Sequence, residues 1–127
     1  WVDGWIDWNM VLDRQGGPNW FKNWCIAPVI VDPAADEVYF TPLFDVMCHF
    51  SKFLRPGASV LASECNDPEL MAVAAETADG THVLVCFNPG EAPRTLCIAG
   101  LSEDVRIRID SEAIQTIIIS SKNPSNP

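Results

Sequence analysis

Basic side chains are scarce in this sequence of 127 residues, which has 8 lysines and arginines against 17 aspartates and glutamates. The formal net charge of -9 disfavours nucleic acids and anionic membranes as partners, because phosphate-rich surfaces are recognised by a basic footprint. We therefore expect no nucleic-acid partner. The acidity suits a neutral ligand or serves solubility alone, and composition does not choose between these two interpretations.

Several motifs with a defined chemical use are also missing. The 5 cysteines include no Cys-x-x-Cys pair, which argues against a structural zinc site. No Gly-x-Ser-x-Gly motif and no lysine-bearing glycine loop are present, so neither a serine nucleophile nor a phosphate cradle is indicated. No apolar run is long enough to span a bilayer. We expect no cofactor and no metal ion, and we expect the cysteines to be small buried hydrophobes.

All 5 tryptophans, in contrast, lie within residues 1–24. An indole can pack on the apolar C–H face of a pyranose while neighbouring amides and carboxylates bind its hydroxyls. Trp8 and Trp24 are the candidate platforms. The polar side chains available beside them are Asp7, Asn9, Asn19 and Asn23. Because clustered tryptophans also occur in cores and interfaces, composition alone leaves a pocket wall and a packed interface as alternatives.

Acids in a catalytic arrangement are not evident. Hydrolysis of a glycosidic bond uses two carboxyl groups about 5–5.5 Å apart for retention and about 6.5–9.5 Å apart for inversion. Asp7 has only Asp3 on its own predicted strand, about 13 Å away at the rise of a strand. The remaining candidates fall in predicted turns or on solvated faces: Glu37, Asp45, Glu64 and Glu69. The sequence therefore predicts no catalytic residue in this chain.

The first 57 residues read as a strand, a loop, extended segments and one helix. Residues 1–9 predict a strand, and Gly16-Gly17-Pro18 predicts a loop over residues 13–19. Residues 27–32 are extended, and Pro28, which lacks an N–H group, predicts that they lie at a sheet edge or in a loop. Residues 33–37 predict a turn, and 38–40 an extended segment. This order is typical of the last β/α unit of a larger α/β body.

The helix is predicted to begin after Thr41 as N-cap, with Pro42 in its first turn. Its apolar positions recur at three-to-four spacing over residues 43–54. Arg55 suits the last turn, and Pro56-Gly57 ends the helix.

After residue 57 the hydrophobic period changes to two. Strands are predicted at residues 59–63, 70–77, 81–87, 94–99, 105–110 and 113–120. Asp79-Gly80 predicts a hairpin, and Asn88-Pro89-Gly90 a further turn. Six short strands at this spacing predict an antiparallel β-sandwich. The predicted division is thus 1–57, 58–120 for the sandwich, and a loose tail over 121–127.

The run Trp5-Ile6-Asp7-Trp8-Asn9, followed by Gly16-Gly17-Pro18-Asn19-Trp20 and by Pro28-Val29-Ile30-Val31-Asp32, resembles the C-terminal part of glycoside hydrolase family 30. The glucosylceramidase branch is the most similar. The run from Pro42-Leu43-Phe44 to His49-Phe50-Ser51-Lys52-Phe53-Leu54-Arg55-Pro56-Gly57 resembles the last barrel helix of that family. The later strands around Asp79-Gly80 and Ile114-Gln115-Thr116 resemble its sandwich.

The resemblance implies a fold that is mainly β: the final β/α unit of a (β/α)8 barrel, followed by an antiparallel β-sandwich. It implies that Trp8 lines the glucose subsite, that Asn23 lies near the sugar with Trp24 beside it, and that Asp7 lies at the mouth of the eighth strand. The family retains configuration and uses two glutamates on earlier barrel strands. Neither would lie in this chain, which we therefore expect to be inactive alone.

The resemblance also implies a β-glucoside or a glucosylceramide-like compound as substrate, and a secreted or lysosomal location. Because the chain begins inside an aromatic strand-like run, we expect that a segment precedes it. An isolated barrel strand has unpaired edges and uncovered tryptophans. We therefore expect the chain to be stable only with the upstream remainder of the barrel or with a copy of itself. The alternative is a non-catalytic β-sandwich module, derived from the family, that acts by binding a sugar or a protein.

Overall fold

The computed structural model describes residues 4–100 and 104–120. The chain forms two compact units, with the boundary between Cys48 and His49. The first unit contains β1 (Val11–Asp13), β2 (Val29–Asp32) and β3 (Glu37–Phe40). The helix α1 (Pro42–Ser51) begins in this unit and ends just after the boundary. The second unit contains β4 (Ser59–Leu61), β5 (Met71–Glu76), β6 (His82–Asn88), β7 (Arg94–Ile98), β8 (Val105–Ile109) and β9 (Ala113–Ile119).

The first unit is built on a three-stranded sheet in the order β1-β2-β3. β1 runs parallel to β2, with Val11 opposite Val29, and β2 pairs with β3 in an antiparallel ladder. The predicted turn after β2 is present, and the Asp32 carboxylate stabilises it by accepting the N–H groups of Ala34 and Ala35 at 3.1 and 3.2 Å.

Two predictions for this unit were wrong. The strand expected over residues 1–9 is not formed in its described part, residues 4–9, while residues 1–3 lie outside the described chain. A strand requires a hydrogen-bonded neighbour, and the sheet of the described chain reaches no further than β1. Residues 27–32 were expected at a sheet edge or in a loop, but they include β2, which is the central strand of the described three-stranded sheet. Pro28 precedes its first residue, so the missing N–H lies outside the ladder.

The helix begins at Pro42, as predicted, but it ends at Ser51 rather than at Arg55. The N–H group of Phe53 turns back to the carbonyl of Phe50 at 3.2 Å, a three-residue closure that tightens the last turn. Thr41 occupies the predicted position before the helix. Its hydroxyl lies 3.1 and 3.2 Å from the carbonyl oxygens of Ala27 and Pro28, so it ties the helix start to the entry of β2.

The second unit contains the six antiparallel strands that the alternation predicts. Four form a sheet in the order β4-β5-β6-β9, and β7 pairs with β8 in a separate two-stranded sheet. The hairpin at Asp79-Gly80 places Glu76 opposite His82, and β6 continues opposite β9 from His82–Ile119 to Asn88–Ala113. The tail predicted over residues 121–127 lies outside the described residues.

The core of this unit lies between the two sheets. It contains Leu70, Cys86 and the fully buried Ile109, and Leu84 and Leu96 pack against it with further partly buried hydrophobics. β8 shows the predicted alternation of buried and exposed positions. The cysteines do not all follow the expectation of burial: Cys86 is buried, but Cys97 is exposed. The apolar run around Cys97 is a strand in which half-buried and exposed positions alternate, and Cys97 falls at an exposed position.

A fully buried asparagine, Asn88, organises the turns at one end of the sandwich. Its amide nitrogen donates to the carbonyl oxygens of Ala92 and Asp110, both at 2.9 Å. Its side-chain oxygen accepts the N–H of Gly90 at 3.1 Å, and the carbonyl of Gly90 accepts the N–H of Glu112 at 3.0 Å. One side chain thereby joins two chain segments: the turn that follows β6 and the residue that follows β8.

Candidate functional site

The aromatic stretch of the first unit is a largely uncovered surface. Trp20 is 99% exposed, Trp8 76% and Trp24 67%. Ile6 and Phe21 are also exposed, at 97% and 87%. Indoles with two thirds or more of their surface exposed indicate a contact surface, because large apolar groups are rarely left uncovered together.

Two of the four predicted site residues, Trp8 and Trp24, are among these exposed indoles, and Asp7 and Asn23 are their neighbours along the chain. Asp7 is half-buried, and its carboxylate accepts the N–H of Trp8 at 2.8 Å, so this carboxylate caps its own backbone. Asn23 and Trp24 are exposed and belong to a segment without helix or strand. In the described chain, no hydrogen bond or ion pair joins these four side chains to one another. Their function as one sugar-binding wall therefore remains a prediction.

The loop after β1 is more ordered than its glycine and proline content indicates. The Asp13 carboxylate accepts the N–H groups of Gln15 and Gly17 at 2.8 and 2.7 Å. The backbone of Asp13 closes the same loop by donating to the Gly17 carbonyl at 2.6 Å and accepting from the Gly16 N–H at 2.9 Å. The Asn19 amide donates to the Gly16 carbonyl at 3.0 Å. The peptide bond between Gly17 and Pro18 is cis.

A charged cluster supports the sheet below this loop. Arg14 donates to Asp32 at 2.9 Å, and its guanidinium lies 6.0 Å from the centre of the Tyr39 ring. The hydrogen bond from Arg14 holds the pKa of Asp32 below its ordinary value. The Tyr39 hydroxyl donates to Glu37, and that bond raises the pKa of Tyr39. Sequence reasoning missed Asp13, Arg14 and Asp32 as organising residues.

The acids rejected as catalytic candidates are all exposed: Glu37, Asp45, Glu64 and Glu69. Glu69 is paired with Arg94, which also binds Asp67, so this arginine ties the loop before β5 to β7. The pKa of Asp67 is lowered by the N–H of Glu69 and by Arg94. These contacts explain Glu69 as a structural acid.

The sandwich unit has a cavity of about 450 Å³ between its two sheets, lined largely by small and apolar side chains. Cys65, Cys86 and Cys97 line it together with His82. Burial, with a smaller contribution from Cys65, raises the pKa of Cys86 to about 11, so this thiol is protonated at neutral pH. Within residues 4–100 and 104–120, no group of three or more metal-ligating side chains is arranged to hold an ion. In the same residues, no helix has the length and apolarity needed to cross a membrane.

Comparison with protein families finds matches over nearly the whole chain. Residues 1–54 match the TIM-barrel domain of glycosyl hydrolase family 30, and residues 57–117 match the β-sandwich domain of the same family. Both matched domains are parts of a glycoside hydrolase, and the sheet, helix and sandwich of this chain agree with that class of protein. The chain belongs to glycoside hydrolase family 30 and comprises the end of its barrel followed by its sandwich.

Relatives in sequence carry names from one branch of this family. The Caenorhabditis elegans protein "Putative glucosylceramidase 2" is 36% identical over 127 aligned residues, which cover 95% of this chain and 25% of the relative. The lysosomal acid glucosylceramidase of Mus musculus is 42% identical over 90 residues, 68% of this chain and 18% of the relative. The chain thus spans about a quarter or less of the length of these curated relatives.

Solved structures agree with this assignment. SrfJ from Salmonella typhimurium superposes with a TM-score of 0.87 at 29% identity, covering 92% of this chain and 26% of that one. The endo-β1,6-glucanase BT3312 superposes with a TM-score of 0.82 at 20% identity, covering 90% of this chain and 26% of that one, and supports the fold alone. The predicted fold class and the family resemblance are therefore confirmed.

Proposed function

We propose that this chain forms one wall of the sugar pocket of a retaining β-glycosidase of the glucosylceramidase type. Its substrate class is a β-glucoside or a glucosylceramide-like compound. Asp7, Trp8, Asn23 and Trp24 contact the sugar, and the two catalytic glutamates lie on barrel strands outside these 127 residues. Residues 1–57 are the barrel part and residues 58–120 the sandwich. The location follows the secreted or lysosomal precedent of the family, and the mouse relative is named a lysosomal enzyme.

The observation that carries this proposal is the exposed tryptophan surface in the segment that matches the barrel domain. Trp8 and Trp24 each leave about two thirds or more of their surface uncovered, at 76% and 67%. An indole of this exposure offers a flat apolar face with an N–H donor at its rim, which is what a pyranose ring with equatorial hydroxyls requires. The half-buried Asp7 beside Trp8 supplies a carboxylate for those hydroxyls.

The same exposure supports a partner for the first unit. Apolar side chains as open as Ile6 and Trp20 are costly to leave in water, at about 25 cal/mol per Å² of apolar surface. The proposed occupant of this surface is the remainder of the barrel, and self-association of the chain is the competing arrangement. The coverage of the relatives supports the first, because about three quarters of their length lies outside the match.

Activity tests the proposal. The chain alone, and then the chain joined to the upstream barrel polypeptide, is assayed on p-nitrophenyl β-D-glucopyranoside. We expect hydrolysis only by the joined protein. Hydrolysis by the chain alone would place the acids in this chain. An inactive joined protein that folds would favour the alternative of a non-catalytic module that binds a sugar or protein.

Substitution of Trp8 tests the sugar contact itself. In the joined protein, Trp8→Ala is expected to weaken glucoside binding by about 1–3 kcal/mol, by analogy with aromatic stacking on other planar ligands. Trp8→Phe keeps an aromatic face and is the matched control, so most of the affinity should remain. Equal affinity of the alanine variant and the parent protein would return Trp8 to a packing role.

A further inference from the structure

The segment between the loop after β1 and the start of β2 has no regular structure to fix it. Residues 20–26 contain neither helix nor strand, yet they carry Asn23 and Trp24. The side chains of Trp20 and Phe21 are exposed and do not anchor the segment. Of residues 20–26 only Cys25 is half-buried and the others are exposed, so contacts of the backbone have a large part in fixing the segment.

Gly16 makes that backbone contact. A Cβ atom added to Gly16 would lie 2.8 Å from both the backbone nitrogen and the carbonyl oxygen of Cys25, and 3.3 Å from the Cα of Trp24. These are main-chain atoms, so no side-chain rotation can relieve the overlap. Gly16 is buried and has a φ of 74°, in the left-handed region that favours glycine. The segment can approach the loop this closely only where the loop has no side chain.

Asp13 holds Gly16 in that place. Its carboxylate accepts the N–H of Gly17 at 2.7 Å, and its carbonyl accepts the N–H of Gly16 at 2.9 Å. A Cβ on Gly17 would lie 2.9 Å from the second carboxylate oxygen, so the carboxylate fits closely against the glycine that follows Gly16. Because Asp13 is also the last residue of β1, its hydrogen bonds attach the loop directly to the sheet.

We propose that Asp13 and Gly16 are positioning residues that hold the backbone at Trp24–Cys25 and thereby present Asn23 and Trp24 to the sugar. The inference deepens the proposed function and rests on it for the identity of the ligand. The support of the segment is independent of that identity. Asp13 and Gly16 themselves contact no substrate.

Limited proteolysis of the full chain measures the support directly. Lys22 is exposed within the segment, and tryptic cleavage after it reports local opening. In Gly16→Ala this cleavage should be about tenfold faster, with cleavage after Arg108 in the sandwich unchanged. Gly100→Ala is the matched control, because Gly100 has a φ of 89° and no atom within 4 Å of an added Cβ. It carries the same backbone strain without the overlap and should leave cleavage after Lys22 unchanged.

Two variants of Asp13 separate positioning from a general loss of stability. Asp13→Asn retains a side-chain oxygen for the N–H of Gly17 and should cleave at a rate near that of the parent chain. Asp13→Ala removes the acceptor and should resemble Gly16→Ala. Unchanged cleavage in Gly16→Ala, or an equal increase after Arg108, would overturn the proposal.

The joined glycosidase supplies the functional measurement. With p-nitrophenyl β-D-glucopyranoside, Gly16→Ala and Asp13→Ala should raise KM about tenfold more than they lower kcat. Faster cleavage after Lys22 beside an unchanged KM would remove Asn23 and Trp24 from the sugar subsite, and the proposed function of those residues would fail with it. Unchanged cleavage would overturn the positioning proposal alone.

Discussion

Replacement of Asn88 by alanine is predicted to destabilise the sandwich unit more than any exposed substitution. The asparagine is fully buried and satisfies three backbone groups: the carbonyls of Ala92 and Asp110 and the N–H of Gly90. Alanine leaves all three without that partner. Gly90 and Ala92 lie in the turn after β6 whereas Asp110 follows β8, so a rearrangement of one turn does not restore all three bonds.

The magnitude follows from the number of groups and their access to water. A buried backbone group left unpaired costs about 1–3 kcal/mol. Ala92 and Asp110 are exposed residues, so water can replace part of what their carbonyl groups lose. We therefore expect a loss of about 2–4 kcal/mol in the free energy of unfolding. For a domain of this size the melting temperature should fall by roughly 10–20 °C.

Urea denaturation followed by circular dichroism measures this loss. Asn66→Ala is the matched control, because Asn66 is exposed, and it should change the unfolding free energy by less than about 0.5 kcal/mol. Asn88→Asp should be at least as damaging at pH 7, since a carboxylate oxygen would face two carbonyl oxygens. Protonation as the pH falls should restore part of its stability, and burial beside two carbonyl oxygens should raise the pKa of this carboxyl above the ordinary range of an aspartate. An unfolding midpoint in Asn88→Ala equal to that of Asn66→Ala would refute the reasoning.

Three further predictions follow from burial and charge. Ile109→Ala should cost about 2–5 kcal/mol of unfolding free energy, while Ile118→Ala, at a position 56% exposed, should cost about 1 kcal/mol or less; similar losses in urea titrations would contradict the assigned core. With a pKa of about 11, only about one Cys86 thiol in a thousand is ionised at pH 8. Iodoacetamide should therefore label the exposed Cys65 well before it labels Cys86. Equal labelling rates in mass spectrometry would contradict the burial of Cys86. The pKa of Asp32 is lowered from 3.8 in the folded state, so its ion pair contributes stability above pH 3.8 and loses that contribution as the pH falls through the lowered pKa. Asp32→Asn should therefore reduce the difference between the urea midpoints measured at about pH 7 and about pH 2.5. An unchanged difference would exclude this ion pair as the source of the pH dependence.

The sandwich could be predicted from the sequence because its information is local. Alternation over residues 105–110, the Asp79-Gly80 hairpin and the helix-starting Pro42 each specify their own structure within a few residues. The predicted strands of the sandwich agree with the observed ones to within two residues at every end. The largest difference is at the end of β4, where pairing rather than propensity decides the length.

The first unit was harder because its structure depends on neighbours far along the chain. Val11–Asp13 forms a strand because it pairs in parallel with residues 18 positions further along the chain. No local sequence pattern predicts this pairing. The position of Pro28 reads as an edge signal only if the proline lies inside the ladder, and it lies one residue outside. The glycines of the loop indicated a turn, but the close approach of Gly16 to the backbone of Cys25 requires coordinates to be seen.

For the candidate site, too, the sequence was sufficient for some features and not for others. The residue types and order of the aromatic stretch were sufficient to indicate the family, and the family match confirms it. They did not indicate the hydrogen bonds of Asp13 within its loop or the close approach of Gly16 to Trp24 and Cys25. Each of these contacts involves backbone atoms, and the sequence carries no direct signal for where backbone atoms lie.

The position of β9 has a consequence for handling the protein. Within the described residues, β9 lies at the end of the four-stranded sheet, with β6 as its only ladder partner there. Its seven residues, Ala113–Ile119, contain no charge and no proline and end in three consecutive isoleucines. A segment of that composition with a free ladder is a template for cross-β stacking and fibril growth. The chain should therefore tend toward amyloid-like association at high concentration. A strand that pairs with the free edge of β9 would block this association.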